Sequence, residues 1–205
     1  MKNLFKKIAI LSVAIMVFGC SKDDAPSSPS SPSCVSITCL NGGVSTADCG
    51  CTCPTGYTGA NCGTQVTPTK IIITKIRVTK FPNLKTDGSS WDSWAVNPFT
   101  RPDIFPVLFN SAGTTVLYEG TPAIQDSFSY GTDTFDFIPS TPIQITNTTS
   151  SYNLYLFDED SSSAQEIMGG FNLPLYTSTT GFPTSITLGQ STDIVRFELT
   201  VYYVW

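Results

Sequence analysis

The chain has 205 residues, of which 40% are hydrophobic, 12% aromatic and only 13% charged, and it contains no histidine. The missing imidazole excludes Ser/His and Cys/His catalysis and His-ligated zinc. The formal net charge is −5 and becomes −8 once the leader residues Lys2, Lys6 and Lys7 are removed, which argues against a nucleic acid partner, because that binding rests on neutralising phosphates with cations.

Residues 1–19 read as a targeting segment. Lys2, Lys6 and Lys7 make a basic front, and the apolar run Ile8 to Phe18 is too short to span a bilayer. Val17-Phe18-Gly19-Cys20 resembles a bacterial lipobox. That resemblance implies a lipidated Cys20 as the new N-terminus and a protein held to the outer membrane through its lipid. Several acyl chains on one residue make release very slow, where a single chain anchors only marginally. Ser21-Lys22-Asp23-Asp24 resembles the export tag of surface lipoproteins of the Bacteroidetes lineage, which implies display on the cell surface. Residues 20–33, with Pro26, Pro29 and Pro32 among six serines, form a tether with no core-forming residues.

Cys34, Cys39, Cys49, Cys51, Cys53 and Cys62 all fall within residues 34–62. A segment that short cannot bury enough apolar surface to hold itself together, so disulfides are expected to do so. Spacing alone leaves the pairing open. Cys39-Leu40-Asn41-Gly42-Gly43 and Cys51-Thr52-Cys53-Pro54-Thr55-Gly56-Tyr57-Thr58-Gly59-Ala60-Asn61-Cys62 resemble an epidermal growth factor-like module. The resemblance implies the pairs Cys34–Cys49, Cys39–Cys51 and Cys53–Cys62. Ser31-Pro32-Ser33 stands where the calcium-binding variant of that module carries acids, so the module is expected to bind no calcium and to serve as a stapled stalk. Residues 63–69 read as a short linker.

Residues 70–205 alternate with period two. Ile76 and Val78 alternate with Lys75, Arg77 and Thr79, and Val195 to Tyr203 do the same at the C-terminus. Further strands are expected at 104–110, 115–118, 134–138, 143–146, 152–157, 169–174 and 185–188, separated by Gly, Pro and Ser turns. The expectation is all-β: an antiparallel eight-stranded sandwich.

The loop from Asp158 to Gly169 carries the chemistry. Asp158, Asp160 and Glu166 stand at i, i+2 and i+8, with the Ser163 hydroxyl at i+5. Acids crowded on one loop repel unless a cation neutralises them. Calcium, with roughly six to eight oxygen ligands at about 2.3–2.6 Å, suits such a loop. Leu154-Tyr155-Leu156-Phe157-Asp158-Glu159-Asp160, Glu166-Ile167-Met168-Gly169 and Phe171-Asn172-Leu173-Pro174-Leu175 resemble the third calcium loop of a C-two domain, the second conserved region of protein kinase C. Thr79-Lys80-Phe81-Pro82-Asn83-Leu84 and Pro102-Asp103-Ile104-Phe105 resemble the margins of its first loop. The resemblance implies a calcium site built from Asp92, Asp103, Asp158, Asp160, Ser163 and Glu166. Asp87 is the alternative first-loop acid; Asp92 is preferred because it closes the shorter loop. Trp91, Trp94 and Phe99, with Val96, lie in the same loop as candidate contacts with a membrane or another ligand.

Three functions compete. A surface module that binds a lipid, glycan or protein with calcium is preferred. The alternative is a spacer or accessory lipoprotein docked in a larger outer-membrane complex. An enzyme using Glu159 and Glu166 as acid and base is disfavoured, because acids clustered on one short loop suit metal ligation better.

Overall fold

A computed structural model describes residues 35–92, 101–160 and 164–205, and residues Ser36–Trp205 cluster as one unit. Its described part is all-β. The first elements are paired two-residue strands: β1 (Val44–Ser45) with β2 (Cys51–Thr52), and β3 (Tyr57–Thr58) with β4 (Thr64–Gln65). Cys39–Cys51 and Cys53–Cys62 are bridged, with Cα atoms 5.8 Å and 5.3 Å apart. Cys49 is also disulfide-bonded, and Cys34, its expected partner, lies outside the described residues.

The sandwich follows. Its strands are β5 (Lys70–Lys80), β6 (Ile104–Phe109), β7 (Val116–Glu119), β8 (Phe135–Phe137), β9 (Ile143–Ile145), β10 (Ser151–Asp158), β11 (Glu166–Pro174), β12 (Ser185–Leu188) and β13 (Arg196–Val204). One sheet runs β11-β10-β6-β7. The other runs β12-β13-β5, with β8 and β9 sharing the far edge of β5. These nine segments therefore fill eight positions, because β8 pairs with Ile76–Val78 and β9 with Ile71–Ile73 of the same strand.

β5 shows how the side-chain pattern becomes a core. Ile71, Ile73, Ile76 and Val78 are fully buried and Phe81 nearly so, a spacing of two, three, two and three. Strict alternation would turn Ile76 outward if Ile71 and Ile73 face in. The register against β13 shifts between Thr200 and Val201 and again between Arg196 and Phe197. Each shift adds one residue on β5, first Thr74 and then Thr79, and so resets the phase. Thr74 Oγ1 donates to the Thr200 carbonyl at 3.3 Å across the first of these bulges.

β10 needs no such reset. Tyr152, Leu154, Leu156 and Asp158 all face inward. The register carries a carboxylate into the last core position of the strand. β11 begins at Glu166, three residues before its expected start, and is bulged at Met168 opposite Leu156 and Phe157. Gly170 follows because a Cβ there would lie 2.4 Å from the Leu154 carbonyl oxygen.

Residues 63–69 are not a loose spacer. Thr64–Gln65 is β4, Val66 N–H donates to the Gly56 carbonyl at 2.8 Å, and Thr69 N–H donates to the Val204 carbonyl at 2.7 Å. Phe182 gathers Tyr57, Tyr176, Tyr203 and Trp205 around it, with ring centroids 4.9–5.8 Å away. Trp205 Nε1 donates to the Val66 carbonyl at 3.1 Å. The disulfide-bridged segment and the sandwich thus share an aromatic joint at the base. The described loop residues 81–92, 101–103, 120–134, 159–160, 164–165 and 189–195 lie at the opposite end, the tip.

Candidate metal site at the sandwich tip

Asp158 ends β10 with none of its surface exposed. Its Oδ1 accepts from the Asp103 backbone N–H at 2.7 Å, and its Oδ2 has no hydrogen-bond partner. Burial is the main force raising its pKa, opposed by the Asp103 N–H and reinforced by Asp92, Asp160 and Asp103; the carboxyl is pushed to about 7. Asp92 presents a second buried oxygen without a partner, Oδ2. Burial first, then repulsion from Asp103, Asp160 and Asp126, pushes its carboxyl to about 6 despite the attraction of Lys85. One oxygen each from Asp92, Asp158 and Asp160 all lie within 4.8 Å of one another. Two buried acceptors without donors, beside a third acid, amount to an unmet electrostatic demand. A hard cation is the group that answers it.

Asp103 is brought to the same place but points elsewhere. Its Oδ1 accepts from the Asp126 backbone N–H at 2.7 Å, and its carbonyl accepts from Glu159 N–H at 2.8 Å. It ties the acidic loop after β10 to the 120–134 loop and aims Asp158. Burial raises its pKa, in part offset by the Asp126 N–H. A second clasp joins the loops: Asn83 and Ser129 exchange hydrogen bonds of 2.9 and 2.8 Å.

Two residues of the expected ligand set, Asp103 and Glu166, stand outside the close trio, as does the alternative acid Asp87. Glu166 lies on β11 opposite Asp158 and ion-pairs with Lys85, outside the close trio. Asp87 does not reach the trio; its Oδ1 accepts from the Ser89 N–H at 2.9 Å and from the Ser89 hydroxyl at 2.6 Å, which lowers its pKa. Trp91 does not project from the tip. It is only 8% exposed, and its Nε1 donates to the Pro82 carbonyl at 2.8 Å. A ring with its polar edge satisfied inside has no reason to turn out. Ser163, Trp94, Val96, Phe99 and Cys20 lie outside the described residues.

Lys85 was invisible as a site residue in the sequence. Burial opposes its charge, but the hydrogen bond and attraction of Glu166, with Asp160 and Asp158 behind, outweigh it and hold its pKa above the ordinary value. Its ammonium lies 5.6 Å from the centre of the Trp91 ring. Lys85, Trp91, Asp92, Asp160 and Glu166 line an open cavity of about 470 Å³. Lys85, Trp91 and Glu166 also border a neighbouring apolar cleft of about 670 Å³, walled by Leu84, Ile167, Met168 and Ile194. A lone lysine near a Gly-Ser turn carries no pattern; only the fold brings it to the acids.

No family model and no curated protein matches the chain. Among solved structures, it is similar to the first C-two domain (domain A) of plant extended synaptotagmin 1, at 15% identity over 67% of this chain and 98% of that one, with a TM-score of 0.39. It is also similar to human GIVD cytosolic phospholipase A2, at 13% identity over 65% of this chain, with a TM-score of 0.36. The match spans only 16% of the phospholipase. Likeness at this level places the chain in no family.

Proposed function

We propose that the protein is a calcium-dependent binding module whose ion sits between Asp92, Asp158 and Asp160. The observation that carries this reading is the pair of buried oxygens without partners, Asp92 Oδ2 and Asp158 Oδ2, on two of the three acids that Asp160 completes, whose carboxylates approach one another within 4.8 Å. The raised pKa values of the two carboxyls fit the same reading, since a divalent cation offsets both the burial and the repulsion that keep protons on them. Three carboxylates supply three to six oxygens, and water or a ligand completes the shell. A ligand phosphate or carboxylate entering that shell is the means of recognition. The dissociation constant belongs in the weak extracellular range, about 10⁻⁴–10⁻³ M.

The rest of the reading follows from the N-terminal residues. A lipidated Cys20 and an acidic export tag fit a lipoprotein on the outer face of the outer membrane, with the epidermal growth factor-like segment as its stalk. The C-two-like arrangement supplies the recognising end, with a lipid, glycan or protein as ligand. The aromatic joint supports the alternative of a rigid spacer docked in a larger complex. Calorimetric titration with calcium separates the two: residues 21–205 bind calcium, and Asp158→Asn with Asp160→Asn abolishes the heat. A wild-type protein silent at millimolar calcium leaves the spacer standing.

A further inference from the structure

We propose that Lys85 is a resident counter-ion of the acidic tip, withholding Glu166 from the metal site and so keeping the site's calcium affinity low. This inference rests on the calcium reading above and names what regulates that site. The argument is geometric. Lys85 ion-pairs with Glu166 on β11, and both line the cavity that holds Asp92 and Asp160. Asp160 and Asp158 attract the same ammonium.

The backbone that carries Lys85 is pinned. Lys85 N–H donates to the Ser89 carbonyl at 2.9 Å, and Gly88 N–H donates back to the Lys85 carbonyl at 3.0 Å. Gly88 adopts φ +83°, and Asp87 caps Ser89 inside the same turn. The acid offered by the sequence as an alternative ligand is thus committed to fixing the lysine's base. The freedom left to the side chain is rotation of its four-carbon stem, whose ammonium lies beside the Trp91 ring.

A divalent ion arriving at the trio meets this ammonium as a like charge. Glu166 then has two mutually exclusive partners, Lys85 or the metal. While the lysine holds it, the ion has only the trio and loses one carboxylate ligand it would otherwise gain. An affinity set in this way responds to calcium outside a cell and ignores trace amounts.

The test is calorimetric titration of residues 21–205 with calcium chloride, with thermal unfolding in chelator to show that each variant folds. Lys85→Met is expected to bind calcium roughly tenfold tighter. Adding Glu166→Gln to it is expected to erase that gain, whereas adding Glu159→Gln, which restores the same net charge beside the site but leaves Glu166 in place, is expected to keep most of it, the signature of a released carboxylate and not of net charge. Lys70→Met, which removes the same charge at the far end of β5, is expected to leave the affinity unchanged. If Lys85→Met binds no tighter than wild type, or if its gain survives Glu166→Gln, the role assigned to Lys85 falls while the calcium site stands. If neither wild type nor Lys85→Met binds calcium although both fold, the calcium reading itself falls, and this inference with it.

Discussion

At the scale of single residues, Asp158 is the pivot. It was legible as an acid of interest from its place in Asp158-Glu159-Asp160, but its depth was not. Its burial comes from being the last inward position of a regular alternation on β10, which sequence shows only once the strand's end is known. Because Asp158 and Asp92 titrate higher in the folded chain than unfolded, the folded state holds more protons between about pH 4 and 7. That stabilisation is present below the ordinary carboxylate range and is lost as pH rises through the folded values. The metal-free protein is therefore expected to unfold at a higher temperature at pH 5 than at pH 8, as differential scanning calorimetry in chelator reads directly. Calcium should flatten or reverse that trend, since the ion needs the deprotonated acids. Asp158→Asn keeps an acceptor for the Asp103 N–H and removes the buried charge. It should raise metal-free stability at pH 8 by about 1–2 kcal/mol while abolishing stabilisation by calcium, both readable by thermal melts.

Elements were more legible than their phases. The strands of the sandwich were anticipated within about three residues, apart from the earlier start of β5 at Lys70, because alternating β-branched and aromatic residues bounded by Gly, Pro and Ser say little else. The bulges at Thr74, Thr79 and Met168 were not, since a bulge depends on the opposing strand. The early start of β11 is one consequence: it moves Glu166 from loop to strand and gives it to Lys85. Gly170→Ala tests this packing. Its Cβ meets backbone at 2.4 Å, so a loss of about 1–3 kcal/mol is expected in denaturant unfolding. The bridge Cys53–Cys62 closes a short loop with Gly59 at φ +92° between its ends. Replacing both cysteines by serine should cost about 2–5 kcal/mol and should expose the segment before β5 to proteases.

For the molecule as a whole, sequence divided what the fold joins. Residues 63–69 are short and polar, a linker by every local sign, and the rings that make the joint come from four separate stretches: Tyr57, Tyr176, Phe182, and Tyr203 with Trp205. Local pattern cannot announce such a meeting. Phe182→Ala removes the ring at its centre, which is half-buried. A loss of about 2 kcal/mol and new proteolytic cleavage within 63–69 are the expected results. Unchanged cleavage would mean that the backbone bonds of Thr69 and Val66 hold the joint without the rings.

The joint and the tip are the two ends of β5. Eleven residues of nearly extended chain run between them, about 35 Å at the usual rise per residue. A tug from the N-terminal side at residue 69 and a grip where the strand ends at Lys80 would draw on a backbone with little slack to yield beyond its two bulges. The strand behaves as a tendon, and tension along it meets covalent bonds before it meets the sheets.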